Sequence, residues 1–141
     1  MRAVVDAAGR RSLLLREHGE QAVLRDVETG ERRTASLEDL ASLDGGPLGT
    51  LVTDVPPSLP SPLDRAPTDR ALALLVELHV AGPRPVRDLL ADTTLCESDL
   101  HGLVGDLRAA GLVQDEPVAG ERGYDLTPSA TAAMVDLESR T

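Results

Sequence analysis

An α+β fold is predicted for this 141-residue chain, on three observations. Short apolar runs broken by Gly-containing turns fill the first third, and Pro56, Pro57, Pro60, Pro62 and Pro67 crowd the middle. In the second half, apolar residues recur at three- and four-residue spacing between helix caps and stops. The expected layout is a small antiparallel β meander at 1–50, a Pro-rich linker at 51–67, and a compact domain at 68–141. That last domain is expected to run helix, helix, helix, strand, Gly-containing loop, strand, helix.

Each element has a local reason. Val4-Val5, Leu13-Leu14-Leu15 and Val23-Leu24 with Val27 are the strand runs. Turns at Asp6-Ala7-Ala8-Gly9, His18-Gly19-Glu20 and Glu28-Thr29-Gly30-Glu31 separate them, with Gly supplying the positive φ that short hairpin loops need. Ser36-Leu37-Glu38-Asp39 reads as a weak capping box opening a short helical turn, where the meander is expected to end. The prolines from 56 to 67 favour extended chain, although Leu48, Leu51 and Val52 offer a further strand to the first module.

Ala71, Leu72, Leu74, Leu75, Leu78 and Val80 form the apolar face of a first helix, capped by Thr68-Asp69 and stopped by Gly82-Pro83. Pro85 opens a second helix burying Val86, Leu89 and Leu90. Ser98 is expected to cap a third, with Leu100, Leu103, Val104 and Leu107 inward and Gly111 as its stop. Leu112-Val113 and Tyr124-Asp125-Leu126 are the two strands, joined by Gln114 to Gly123. Thr127-Pro128 is a side-chain cap followed by Pro at the first helical position of the last helix.

Composition bounds the function. There is no Phe or Trp, Tyr124 is the one aromatic residue, and the core must be aliphatic. The single cysteine, Cys96, leaves no disulfide framework and no paired thiolates for zinc. No run of about 18 apolar residues exists, and Met1-Arg2-Ala3-Val4-Val5-Asp6 meets a charge too soon for a secretory leader. A cytoplasmic protein without membrane contact is expected. Acidic residues number 24 against 14 basic ones, a net charge of −10, and all the basic residues are Arg. Acid excess without lysine resembles the proteins of salt-in halophilic archaea. A net negative chain is repelled by nucleic acid at ordinary ionic strength, but molar salt screens that repulsion.

Leu103-Val104-Gly105-Asp106-Leu107-Arg108-Ala109-Ala110-Gly111-Leu112-Val113 resembles the end of the recognition helix running into the first wing strand in archaeal winged helix-turn-helix transcription regulators. Tyr124-Asp125-Leu126-Thr127-Pro128 resembles their step from the second wing strand to the final helix. The whole layout is similar to a small haloarchaeal family of uncharacterised proteins. The resemblance implies a DNA-binding regulator that acts by binding and not by catalysis, as a homodimer and without a cofactor. In that fold the third helix enters the major groove and the wing reaches the backbone. The positions so assigned are Arg84, Arg87, His101, Arg108 and Arg122.

The residues there are poor in positive charge. Asp99, His101, Gly102, Gly105, Asp106, Arg108 and Ala109 face away from the apolar stripe, and only Arg108 and His101 have base-reading chemistry. Up to Ala66 the chain has 8 Arg against 11 acids, and beyond it 6 against 13. The alternative reading is a winged-helix protein-interaction module that binds no specific DNA sequence.

Other groups have plainer readings. Cys96 is expected to fill a corner half-buried, and Asp99 and His101 point about 200° apart at ~100° per helical residue, which is no catalytic arrangement. His18 and His79 lack ligand spacing, so no metal is expected. Arg10-Arg11 and Arg32-Arg33 read as solvated strand faces paired with Glu17 and Glu31. Tyr124 is expected to pack the wing against the third helix.

Overall fold

The computed structural model describes residues 1–140; Thr141, the end of the expected second domain, lies outside them. The chain is α+β, as its sequence predicts. Strands β1 (Arg2–Asp6), β2 (Arg11–His18), β3 (Gln21–Asp26), β4 (Arg32–Ser36) and β5 (Leu40–Ser42) form one antiparallel sheet ordered β4-β3-β2-β1-β5. Carboxylates shape its first and third turns. Asp6 accepts from the backbone N–H of Ala8 and Arg10, and Asp26 from those of Glu28 and Thr29.

The meander does not end at Ser36. Leu37–Asp39 is a single 3-10 turn without a side-chain cap, and the chain continues as β5, which pairs with β1 at the far edge. Three linking residues allow about 14 Å between the flanking Cα atoms, whereas four strand spacings in a flat sheet take about 19 Å. The sheet therefore curls into a small, partly open barrel. Val4, Leu14, Ala22 and Leu24 fill its inside, with Ala35, Leu37 and Leu40 against them.

Its other face carries Leu13 and Leu15, which join the main core. That core is completed from the middle of the chain. Leu48 lies in a 3-10 turn (Gly46–Thr50), not in an added strand, and it is buried with Val52 and Leu63 against Leu74, Leu75 and Leu78. Gly45 and Gly46, both at positive φ, turn the backbone too sharply for a strand.

The second half contains α1 (Asp69–Ala81), β6 (Arg84–Pro85), α2 (Val86–Asp92), α3 (Glu97–Ala109), β7 (Val113–Asp115), β8 (Gly123–Leu126) and α4 (Pro128–Glu138). Thr68 and Thr127 cap α1 and α4 by accepting the N–H of Ala71 and Ala130. A three-stranded sheet, β6-β8-β7, packs beside the helices. Helix α3 begins two residues earlier than its sequence suggested: Cys96, not Ser98, is the N-cap, because the Asp99 carboxylate turns back to the Cys96 N–H at 3.5 Å. At the tip of the β7–β8 hairpin, Val118 bridges Glu121 around Ala119 (φ 51°) and Gly120 (φ 80°). Gly123 is required where β6 crosses, since a Cβ there would stand 2.7 Å from the Arg84 carbonyl.

Candidate interaction face

Helix α3 buries Leu100, Leu103, Val104 and Leu107 and turns its other side to solvent. The exposed positions are Glu97, Ser98, His101, Gly102, Gly105, Asp106, Arg108 and Ala109. Gly102, Gly105, Asp106 and Ala109 fall at i, i+3, i+4 and i+7, so they make one strip along the helix. A Cβ on either glycine would meet nothing within 4 Å. The fold of this chain has room for a methyl group at both positions.

The arginines around this strip are largely engaged. Arg108 is paired with Asp115 on β7. Arg87 reaches Glu121 of the β7–β8 hairpin at 2.9 Å and Asp88 at 3.7 Å, although its side chain is 72% exposed. Arg84 is turned inward onto Asp92 and lies 3.7 Å from Glu77. Arg122 differs: its guanidinium lies over the Tyr124 ring, 5.9 Å from the centroid, without an ion pair among the described residues.

His101 and Arg122 flank a cleft of about 390 Å³ where α2, α3 and β8 meet. Val86, Leu100 and the buried Tyr124 line it, with Glu97 and Ser98 at the edge. Tyr124 thus lies where β8 meets α3. The structure brings His101, Arg122 and the start of α2 together, holds Arg87 beside the β7–β8 hairpin, and turns the Arg84 side chain away from them onto Asp92.

Two local expectations are corrected. Cys96 is exposed, because it caps α3 and does not fill a corner. Asp99 sits with it: the Cys96 thiol and N–H both bond its carboxylate and hold its pKa below the ordinary carboxylate value. The paired arginines of the barrel do not use their sequence neighbours. Arg33 meets Asp6 at 3.3 Å, Arg10 meets Asp26 at 3.7 Å, Arg32 pairs with Asp92 of α2, and Arg11 reaches Thr53 at 3.3 Å. Residues adjacent along a strand point to opposite faces, so cross-strand and overlying groups are the nearer partners.

Sequence reasoning missed one polar cluster. Arg25 on β3 grips Glu77 of α1 through Nε and Nη2, each at 2.9 Å, with both residues buried. Arg84 and Arg32 converge on Asp92 beside it. A signal was present, since Glu77 stands three residues after Leu74 inside the apolar stripe of α1.

His79 pairs with Glu138 and ties the end of α1 to α4. Among the described residues no group of three or more His, Cys, Asp or Glu side chains is arranged to hold a metal ion. No described helix is long and apolar enough to cross a membrane.

Neither the curated proteins nor the solved structures contain a match to the chain. A family model does match, over residues 1–138. Its description is "Family of unknown function", and the chain belongs to that family, DUF7346.

Proposed function

We propose that this chain is a non-catalytic binding module whose α3 and wing recognise a protein partner, with no specific reading of DNA. One observation carries the reading: the solvent face of α3 presents Glu97, Asp106 and a bare strip of backbone, and its one arginine is held by Asp115. A row of phosphates laid along that face would meet carboxylates without compensating cations. A protein surface has no such constraint. The glycine strip admits a close-packed helix or strand, the cleft beside Tyr124 takes an apolar anchor, and the carboxylates suit a basic rim.

The runner-up is a DNA-binding regulator. Arg122 favours it: it has no ion pair among the described residues, stacks on Tyr124, and stands where the wing of such a regulator touches the DNA backbone. Titration against random and genomic duplexes in multimolar KCl separates the two. Protein recognition expects no duplex to bind, with Arg108→Ala and Arg122→Ala indistinguishable from the parent. Saturable duplex binding that either substitution abolishes would establish the DNA reading instead.

A further inference from the structure

We infer that the face of the barrel beside α2 holds a binding site for a small organic anion, an oxyanion head with a short apolar body. The inference does not depend on what α3 recognises.

A β-bulge creates the site. In β2, Leu14 stands opposite Leu24, and the next residue to face β3 is Arg16, opposite Val23; Leu15 is the extra residue. Regular pairing would set Arg16 against Ala22, on the side that fills the barrel. The bulge turns it to the helix-facing side, where its Nη1 reaches the Ala91 carbonyl of α2 at 3.0 Å. His18 follows on the same face. Glu17 is sent to the opposite one, where it pairs with Arg2.

Arg16, His18, Gln21, Val23, Arg32 and Thr34 then wall a cavity of about 520 Å³, closed on the other side by Ala91 and Asp92. Arg16 is half-buried, has no carboxylate partner among the described residues, and its Nε is buried without a hydrogen bond. A guanidinium has five donors, and one carbonyl is all that Arg16 is given.

Local charge points the same way. Arg16, Arg25, Arg32 and Arg84 gather around two buried carboxylates, Glu77 and Asp92. Even with Asp88 at the margin, these four arginines outnumber the three carboxylates. The region is positive in a chain of net charge −10. A carboxylate or phosphate placed between Arg16 and Arg32 would take the N–H donors that these two do not spend on Ala91 and Asp92, and Val23 and Ala91 supply the wall for an apolar body.

The test is NMR titration of the full chain at constant ionic strength with hexanoate, hexyl phosphate and acetate. Amides of Val23, Thr34 and Ala91 are expected to shift saturably with at least one hexyl probe, which identifies the preferred head. Acetate is expected to bind several-fold more weakly, for want of the apolar body. Arg16→Gln should weaken the hexyl probe at least tenfold. Thr34→Glu, at an exposed strand position that leaves the bulge intact, should abolish it. Absence of saturable shifts at those amides with either hexyl probe would overturn the proposal. So would unchanged affinity in Thr34→Glu or in a folded Arg16→Gln.

Discussion

Glu77 is fully buried, and the bidentate grip of Arg25 makes that burial tolerable. Removing one member of a buried pair leaves the other charge in a low-dielectric interior at a cost of about 3–5 kcal/mol. Glu77→Gln is therefore expected to lower unfolding stability by roughly that amount in urea or guanidinium titration. The double change Arg25→Met with Glu77→Leu should recover most of the loss. At the surface, Asp6 and Asp99 act through pH. The Arg10 and Ala8 N–H groups lower the Asp6 pKa, as Cys96 lowers that of Asp99. Each carboxyl binds its proton less tightly folded than unfolded. Their contribution is thus complete above the ordinary carboxylate range and is lost as pH falls through the lower folded values. Acid titration of Asp6→Asn and Asp99→Asn variants is expected to show a shallower loss of stability below about pH 4 than the parent.

At the scale of elements, α3 is the informative helix. Gly inside an exposed helix is less favourable than Ala by about 0.5–1 kcal/mol, and neither Gly102 nor Gly105 has a neighbour that a methyl group would touch. Gly102→Ala and Gly105→Ala are each expected to raise stability by about that amount. Both should also weaken partner binding, because the methyl groups occupy the strip. If stability fell, the helix would hold these glycines for a reason internal to the chain.

Caps and stops at Thr68, Gly82, Gly111 and Thr127 were legible in the sequence, since each depends on a few consecutive residues. The start of α3 was legible only to within two residues, because Ser98 and Cys96 both precede the apolar stripe and the Asp99 carboxylate selects between them. Strand β5 was not legible: three residues carry no alternation, and their pairing with β1 is set by closure of the barrel. Of the site, the sequence indicated α3, the β7–β8 hairpin and their shortage of cations. The bulge at Leu15 and the convergence of Arg16 and Arg32 on α2 depend on register and on contacts some 60 to 75 residues apart, which no local pattern encodes.

For the whole molecule, the barrel and the helical half share the main core and a buried ion network in which Arg25 meets Glu77 at 2.9 Å and Asp92 at 4.0 Å. Leu13 and Leu15 of β2, Leu48, Val52 and Leu63 of the middle segment, and Leu74 and Leu78 of α1 lie in the same cluster. Calorimetry is expected to give a single unfolding transition with matching calorimetric and van't Hoff enthalpies. Two separable transitions would mean that the Arg25–Glu77 pair and the apolar contacts around it do not couple the halves.

Cys96, the one cysteine, is exposed at the N-cap of α3, and it allows the recognition claim to be tested in place. A photoactivated crosslinker attached there and irradiated in an extract of the cells that make the protein reports what α3 touches. The expected result is a discrete protein adduct, a second copy of this chain included, that resists nuclease and disappears when Gly105→Arg fills the strip. Adducts that consist of nucleic acid, or a protein adduct untouched by Gly105→Arg, would contradict protein recognition by this face.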